Sequence, residues 1–436
     1  MQVKHTGMAV LLARALALPV TAACAFVPLA HATVIGTMTR ALPVTEARID
    51  ALPEGERAAW RAYLERSRKL MAADKAALAA ERAGGVTPPV VHAGLKAESG
   101  MPLNRPAAWY ASAEARHVAD NIVSYQTPAG GWGKNVNRSG PLRQRGEHYA
   151  PIDDDPAGGV VTAAKGWSYV GTIDNDATTT ELRFLARVQA ALAGAPGEPY
   201  RAAFVKGLLY LLNAQYPNGG YPQVYPLQGS YHDAITYNDN AFALVVELLA
   251  TAAQREGDYA FVPADLAARA QAARDRALGV LVASQIKVDG VRTGWCQQHD
   301  ALTLAAVGAR NFEPVALSSS ETSRLLTLLM RLGGRTPDVV ATVDAGAAWL
   351  KRVAVQDVGW APSANGRVLV AKPGSGPMWA RMYDIATMKP IFGDRDGTIH
   401  TDVNELSAER RDGYGWYGSG PASALAAYEK WSAQKQ

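Results

Sequence analysis

Asp174, Asn175 and Asp176 stand together in Thr172-Ile173-Asp174-Asn175-Asp176, and Asp239 stands between two asparagines in Asn238-Asp239-Asn240. Both groups precede apolar runs, where Asp and Asn ordinarily cap a helix N-terminus. One cap needs one side chain, and the first group supplies three. Carboxylates with amides, without clustered histidine or cysteine, form the donor set of a hard cation, calcium before zinc. No EF-hand spacing accompanies them.

Positive charge occupies similar turns. Lys134 follows Gly130-Gly131-Trp132-Gly133, Arg310 lies in Gly308-Ala309-Arg310-Asn311-Phe312-Glu313, Arg381 follows Trp379-Ala380, and Arg395 lies in Asp394-Arg395-Asp396-Gly397. Each arginine has a nearby acid for an ordinary surface pair: Glu313, Asp384, and Asp394 or Asp396. Four cations in glycine- or aromatic-bounded turns also suit carboxylate recognition, which the guanidinium fork serves well. His232 and His299 occur in His-Asp pairs, but no Gly-x-Ser-x-Gly elbow accompanies them, so they read as loop-organising or substrate-lining. Trp132, Tyr221, Trp295 and Trp379 near these turns suit core packing or stacking on sugar rings.

The elements that must position these residues follow a repeat. Val123-Ser124-Tyr125-Gln126 leads to Gly130-Gly131-Trp132, Leu212-Asn213-Ala214-Gln215 to Gly219-Gly220-Tyr221, and Val282-Ala283-Ser284-Gln285 to Asp289-Gly290 and then Trp295. A variable loop and an amphipathic helix follow each. Thr178-x-x-Glu181 has the form of a capping box, Asp239 or Asn240 precedes the run 241–253, and Ser319 or Ser320 precedes 321–332. Strand-type alternation is scarce. The expected fold is all-α dominated: an (α/α) toroid of helical hairpins with long loops and few short strands, its pre-helical polar groups gathered at one end.

The chain has 436 residues, 48% of them hydrophobic and 19% charged, which excludes disordered, collagen-like and coiled-coil classes. A formal charge of +4 without a basic run gives no reason to expect a nucleic-acid partner. Residues 1–32 combine Lys4 and Arg14 with an apolar stretch from Ala15 to Leu29 and an Ala30-His31-Ala32 ending, the pattern of a secretory signal cleaved near Ala32. The expectation is a secreted or periplasmic protein with no membrane attachment after cleavage. Cleavage also removes Cys24 and leaves Cys296, which excludes an internal disulfide. Residues 33–105 read as a helical lead-in, with one helix from Pro53 to Arg82, and 106–436 as the toroid domain.

The blocks Asp120-Asn121, Gly130-Gly131-Trp132-Gly133-Lys134-Asn135, Thr172 to Glu181, Tyr231-His232-Asp233, Asn238-Asp239-Asn240, Trp295-Cys296-Gln297-Gln298-His299-Asp300, Trp379-Ala380-Arg381 and Gly413-Tyr414-Gly415-Trp416-Tyr417 occur in the order seen in family 10 polysaccharide lyases, the pectate lyases, which this chain resembles over about 115–418. That resemblance implies an (α/α) toroid, calcium dependence and β-elimination of polygalacturonate. It places Asp174, Asn175 and Asp239 at the calcium site, Arg310 at the catalytic arginine, and Lys134, Arg381 and Arg395 on uronate carboxylates. Gly133, Tyr221 and Met382 depart from the usual proline, tryptophan and aromatic residue, which touches subsite contacts more than chemistry.

The implied reaction removes a C5 proton alpha to a carboxylate, so it needs a cation on that carboxylate and a base near C5. Calcium at Asp174, Asn175 and Asp239 would acidify the uronate, His232 would line the substrate, and Arg310 would take the proton. Free guanidinium titrates above about 12, so neighbouring cations and alkaline conditions must assist. Two other readings remain open: a hydrolase using Asp174 and Asp239, or a non-catalytic protein binding acidic glycans. The chain is expected to act as a monomer.

Overall fold

The computed structural model describes residues 34–85, 100–151, 170–192 and 194–434. The signal pattern at 1–32 lies outside them. Among the described residues no helix is long and apolar enough to cross a membrane.

Eleven α-helices follow in order among the described residues: α1 (Glu46–Asp50), α2 (Glu54–Arg82), α3 (Ala113–Ser124), α4 (Thr179–Ala191), α5 (Glu198–Ala214), α6 (Ala241–Gln254), α7 (Ala264–Ser284), α8 (Ser319–Leu332), α9 (Pro337–Arg352), α10 (Ala408–Gly413) and α11 (Gly420–Ala433). Strands are short: a three-stranded sheet joins Val34–Thr37, Thr398–His400 and Phe392–Gly393, and another joins Ile235–Thr236, Gln298–His299 and Ala306–Val307. The long lead-in helix is present as α2, and its Trp60, Tyr63 and Leu64 are buried against the main body. There Tyr63 Oη donates to the Ala214 carbonyl, 2.9 Å away.

The hairpins α4–α5, α6–α7 and α8–α9 build an (α/α) toroid, with α3 packed on α4 and α5, and α11 on α8 and α9. Helices α4, α6 and α8 form the more buried row. In α6, Phe242, Val245, Val246, Leu248 and Leu249 are each almost wholly removed from water. Truncating one such leucine costs about 2–5 kcal/mol.

The repeat has a specific physical basis. Gln126 Nε2 donates to the Gly130 carbonyl of its own turn and to the Ala203 carbonyl of α5. Gln215 Nε2 does the same to Gly219 and to Ala273 of α7, and Gln285 Nε2 to Thr293 and to Thr342 of α9. Each glutamine thus ties a helix end to the next outer helix. The aromatic after each glycine turn is buried, and the carbonyls of Trp132, Tyr221 and Trp295 accept from Thr172, Thr236 and Ser318 at 2.9, 3.0 and 2.7 Å. Trp132, Tyr221, Trp295 and Trp379 are therefore core residues and none presents a face to a sugar.

The anticipated caps from pre-helical side chains do not form. Thr178 makes no side-chain cap; its Oγ1 accepts from Trp132 N and donates to the Thr172 carbonyl. Glu181 supplies the other half of the expected capping box alone: buried, its carboxyl accepts from the Thr178 backbone N–H as well as from Arg138 Nη2 at 2.8 Å. Asn240 before α6 makes no side-chain cap, and Ser319 and Ser320, expected ahead of α8, lie inside it, behind Ser318, which makes no side-chain cap either. The polar groups at this end of the toroid are left for other partners.

Candidate active site

Residues 174–176 and 238–240 are 3-10 turns that pack against one another in front of α4 and α6. Their middle residues, Asn175 and Asp239, have φ of 51° and 50°. This left-handed conformation is costly for most side chains and least so for Asn and Asp. Asp174 N donates to Thr172 Oγ1, and Thr172 Oγ1 donates to the Gln223 carbonyl, which fixes the first turn to the second repeat.

These turns open on a cavity of about 90 Å3. Lys134, Asp174, Asn175, Asp239 and Arg310, residues separated by as much as 176 positions, share its wall. Gln223, Tyr231, Asn238, Gln298 and Glu313 complete it. Lys134 arrives from the turn anchored by Trp132, whose indole donates to the Ile122 carbonyl at 2.7 Å. Its Nζ lies 2.9 Å from Asp174 Oδ2, with only 11% and 8% of the two side chains exposed. Burial works to raise the Asp174 carboxyl, but Lys134, with Gln223 and Arg310, outweighs it and leaves the group below its ordinary value.

Arg310 is held by Glu313. Its Nε and Nη2 meet Glu313 Oε2 and Oε1 at 2.9 and 2.5 Å, and Arg310 N donates to Oε2 at 3.2 Å. Glu313 is 1% exposed, so this pair, though local in sequence, is no surface bridge. Burial works to lower the Arg310 guanidinium, and Glu313 more than offsets it, holding Arg310 above its ordinary value.

Arg381 does not pair with Asp384. Its Nη2 reaches Asn238 Oδ1 at 2.8 Å, Glu321 Oε1 at 2.9 Å and Asp239 Oδ1 at 3.5 Å, and its guanidinium lies over Tyr414. Burial pushes the Asp239 carboxyl up; Arg381 opposes this, while Asp174, Glu321 and Glu313 add to it. Arg395 pairs with Glu409 at 3.1 Å instead of with Asp394 or Asp396, and does not line the cavity, although it shares the Phe312 ring with Arg310. His232 has no exposed surface for a substrate. It stacks on Tyr231 at 4.2 Å between ring centroids and is lowered to about 4 by burial, so it backs the wall as a neutral ring. His299 is likewise buried and donates to or accepts within its own loop.

Sequence reasoning missed Glu321, Tyr414 and Gln298, and took Glu313 for a surface partner. Glu321 sits in the first turn of α8, where an acid reads as helix dipole compensation. Its contact with Arg381 joins elements 60 residues apart.

Among the described residues no three His, Cys, Asp or Glu side chains gather as a metal cluster. The cavity instead mixes three carboxylates with amides, and one of the three, Glu313, is already engaged by Arg310. Asp174, Asp239 and Asn175 offer oxygen alone, and the carboxyl of Asp239 faces other buried acids whose repulsion a cation would relieve. This donor set fits a hard divalent cation and not zinc or copper.

The family model described as pectic acid lyase matches residues 126–425. Among solved structures, the chain is similar to the family 10 polysaccharide lyase from Cellvibrio cellulosa, with 32% identity, a TM-score of 0.63, and 76% of this chain and 97% of that one covered. A mutant of that lyase in complex with trigalacturonic acid is similar at 31% identity and a TM-score of 0.62, with the same coverage. No curated protein sequence matches the chain. The matched span holds every residue around the cavity, and the chain accordingly belongs to the pectic acid lyases, the family 10 polysaccharide lyases.

Proposed function

We propose that the protein cleaves α-1,4-polygalacturonate by calcium-dependent β-elimination, releasing 4,5-unsaturated oligogalacturonides. One observation carries this reading: Lys134, Asp174, Asn175, Asp239 and Arg310 meet in a single polar cavity. The related lyase solved with trigalacturonic acid supports the choice of substrate.

Asp174, Asn175 and Asp239 would hold the cation, which when bound supplies positive charge to the uronate carboxylate and so acidifies C5. Lys134 and Arg381 fix the register of the chain by pairing with carboxylates of the substrate. Arg310, once unprotonated, accepts the C5 proton on a guanidine nitrogen. The C5–H electron pair moves into the carboxylate, then forms the C4–C5 double bond as the C4–O bond breaks. The departing oxygen takes a proton from water. No water is added across the bond, which separates this route from the hydrolase using Asp174 and Asp239. Lys134 also keeps Asp174 ionised, unsuited to the role of a general acid.

The pattern of residues 1–32 supports export, which a polymeric substrate too large to enter the cell would require. The test is ultraviolet absorbance of the products of purified protein on polygalacturonate, with calcium and then with excess chelator. Absorbance that grows with calcium and stops with chelator is expected. Saturated fragments, or equal rates in both, overturn the proposal.

A further inference from the structure

Arg310 presents a difficulty that the cavity itself raises. A base must be free of its proton, yet Arg310 is clasped by a buried carboxylate through Nε, Nη2 and its own backbone N–H. Glu313 is fixed in turn: Glu313 N donates to the Arg310 carbonyl, Ala309 N donates to the Glu313 carbonyl, and Tyr414 Oη donates to Oε1 at 3.0 Å. The Arg310 guanidinium also rests on Phe312, 4.6 Å from the ring centroid. Few degrees of freedom remain to it.

We infer that Glu313 is a positioning residue for the lyase reaction, which aims the Arg310 guanidinium into the cavity and sets the pH at which the site turns over. This deepens the proposed function and rests on it.

The other charged groups around Arg310 divide by sign. Arg410 and Arg395 reach the same Phe312 ring, at 4.1 and 5.0 Å, from α10 and from the 394–397 turn. Asp174 faces Arg310 from the turn before α4, Tyr231 from the 230–233 turn, and Tyr414 from the loop after α10. His232 behind Tyr231 is neutral. Arg381 acts on Glu313 from the far side. Among the described residues only Glu313 touches the guanidinium with two oxygens, so it is the group that most strongly favours the charged form of Arg310. The arrangement trades readiness for aim: the carboxylate orients the base and delays its deprotonation to higher pH.

The experiment follows unsaturated product from polygalacturonate and calcium, from neutral to strongly alkaline pH, for the parent, Glu313→Gln and Glu313→Asp. The parent establishes the activity; if it forms no unsaturated product, the proposed function fails and not this inference alone. With the parent active, Glu313→Gln should lower kcat about tenfold through lost aim and move the rising alkaline limb down by about one to three pH units. Glu313→Asp, which keeps the charge, should leave the limb near its parental position while lowering kcat. Should Glu313→Gln not fold, Tyr414→Phe carries the test. Removing the hydroxyl that shares Oε1 leaves Glu313 more strongly on Arg310 and should move the limb up. A limb unmoved in Glu313→Gln, or a rate lost equally at every pH, overturns the inference, as does an unmoved limb in Tyr414→Phe when that variant is needed.

Discussion

Lys134 Nζ contacts Asp174 Oδ2 at 2.9 Å, joining the turn after the first glycine pair to the turn that opens α4. The two residues are 40 positions apart and nearly excluded from solvent. An ammonium thus occupies one oxygen of a carboxylate that the proposed cation also needs. Their relation is one of competition, with the substrate carboxylate as the alternative partner of Lys134.

Removing the ammonium therefore separates two roles. Lys134→Met should bind calcium about tenfold more tightly, equivalent to about 1.4 kcal/mol, while KM for polygalacturonate rises. Calorimetric titration with calcium and steady-state kinetics measure the two. Weaker calcium binding in the variant would contradict the competition.

Tyr221 occupies the position that Trp132 and Trp295 fill in the neighbouring repeats, where each indole donates to a helix carbonyl, Ile122 and Leu281. The Tyr221 hydroxyl is fully buried and finds no hydrogen-bond partner among the described residues. Tyr221→Phe removes an unmet polar group without changing the packed shape, and should stabilise the protein by about 1 kcal/mol. The midpoint of urea unfolding reads the change. A lower midpoint would show that the hydroxyl is satisfied.

Asp74 on α2 is 1% exposed and accepts from Ala129 N at 2.8 Å. Burial pushes its carboxyl up to about 6, against an ordinary 3.8. A folded-state value above the unfolded one adds stability that is complete below the unfolded value and is lost as pH rises through about 6. Asp74→Asn, which keeps the acceptor and never ionises, should gain on the parent by about 1–3 kcal/mol between about pH 4 and about pH 7. Parallel unfolding curves over that range would show that Asp74 does not titrate there.

The repeat was legible because its glutamines, glycine turns and aromatics serve fixed local roles. A glutamine at a helix end followed by a glycine turn can bridge two carbonyls wherever it occurs, and Gln126, Gln215 and Gln285 each do so. The pre-helical acids were legible as polar groups at one end of the toroid, but not as uncapped ones: Thr178 turns away to Trp132, and Asn175 and Asp239 take left-handed backbones that sequence alone leaves open. Partners were harder to read than positions. Arg381 passes over the adjacent Asp384 for Asp239, 142 residues away. Arg395 passes over Asp394, whose carboxylate is already engaged by Ser407. Such choices depend on which elements the fold brings together.

The role given to Arg310 is the centre of the account, and its kinetics in the variant test it. Arg310→Ala should lower kcat for unsaturated product by at least about a thousandfold, while its affinity for polygalacturonate, measured by affinity electrophoresis or calorimetry, stays within about threefold of the parent. Turnover within about tenfold of the parent, or a loss of binding that matches the loss of rate, would contradict a proton-accepting guanidine.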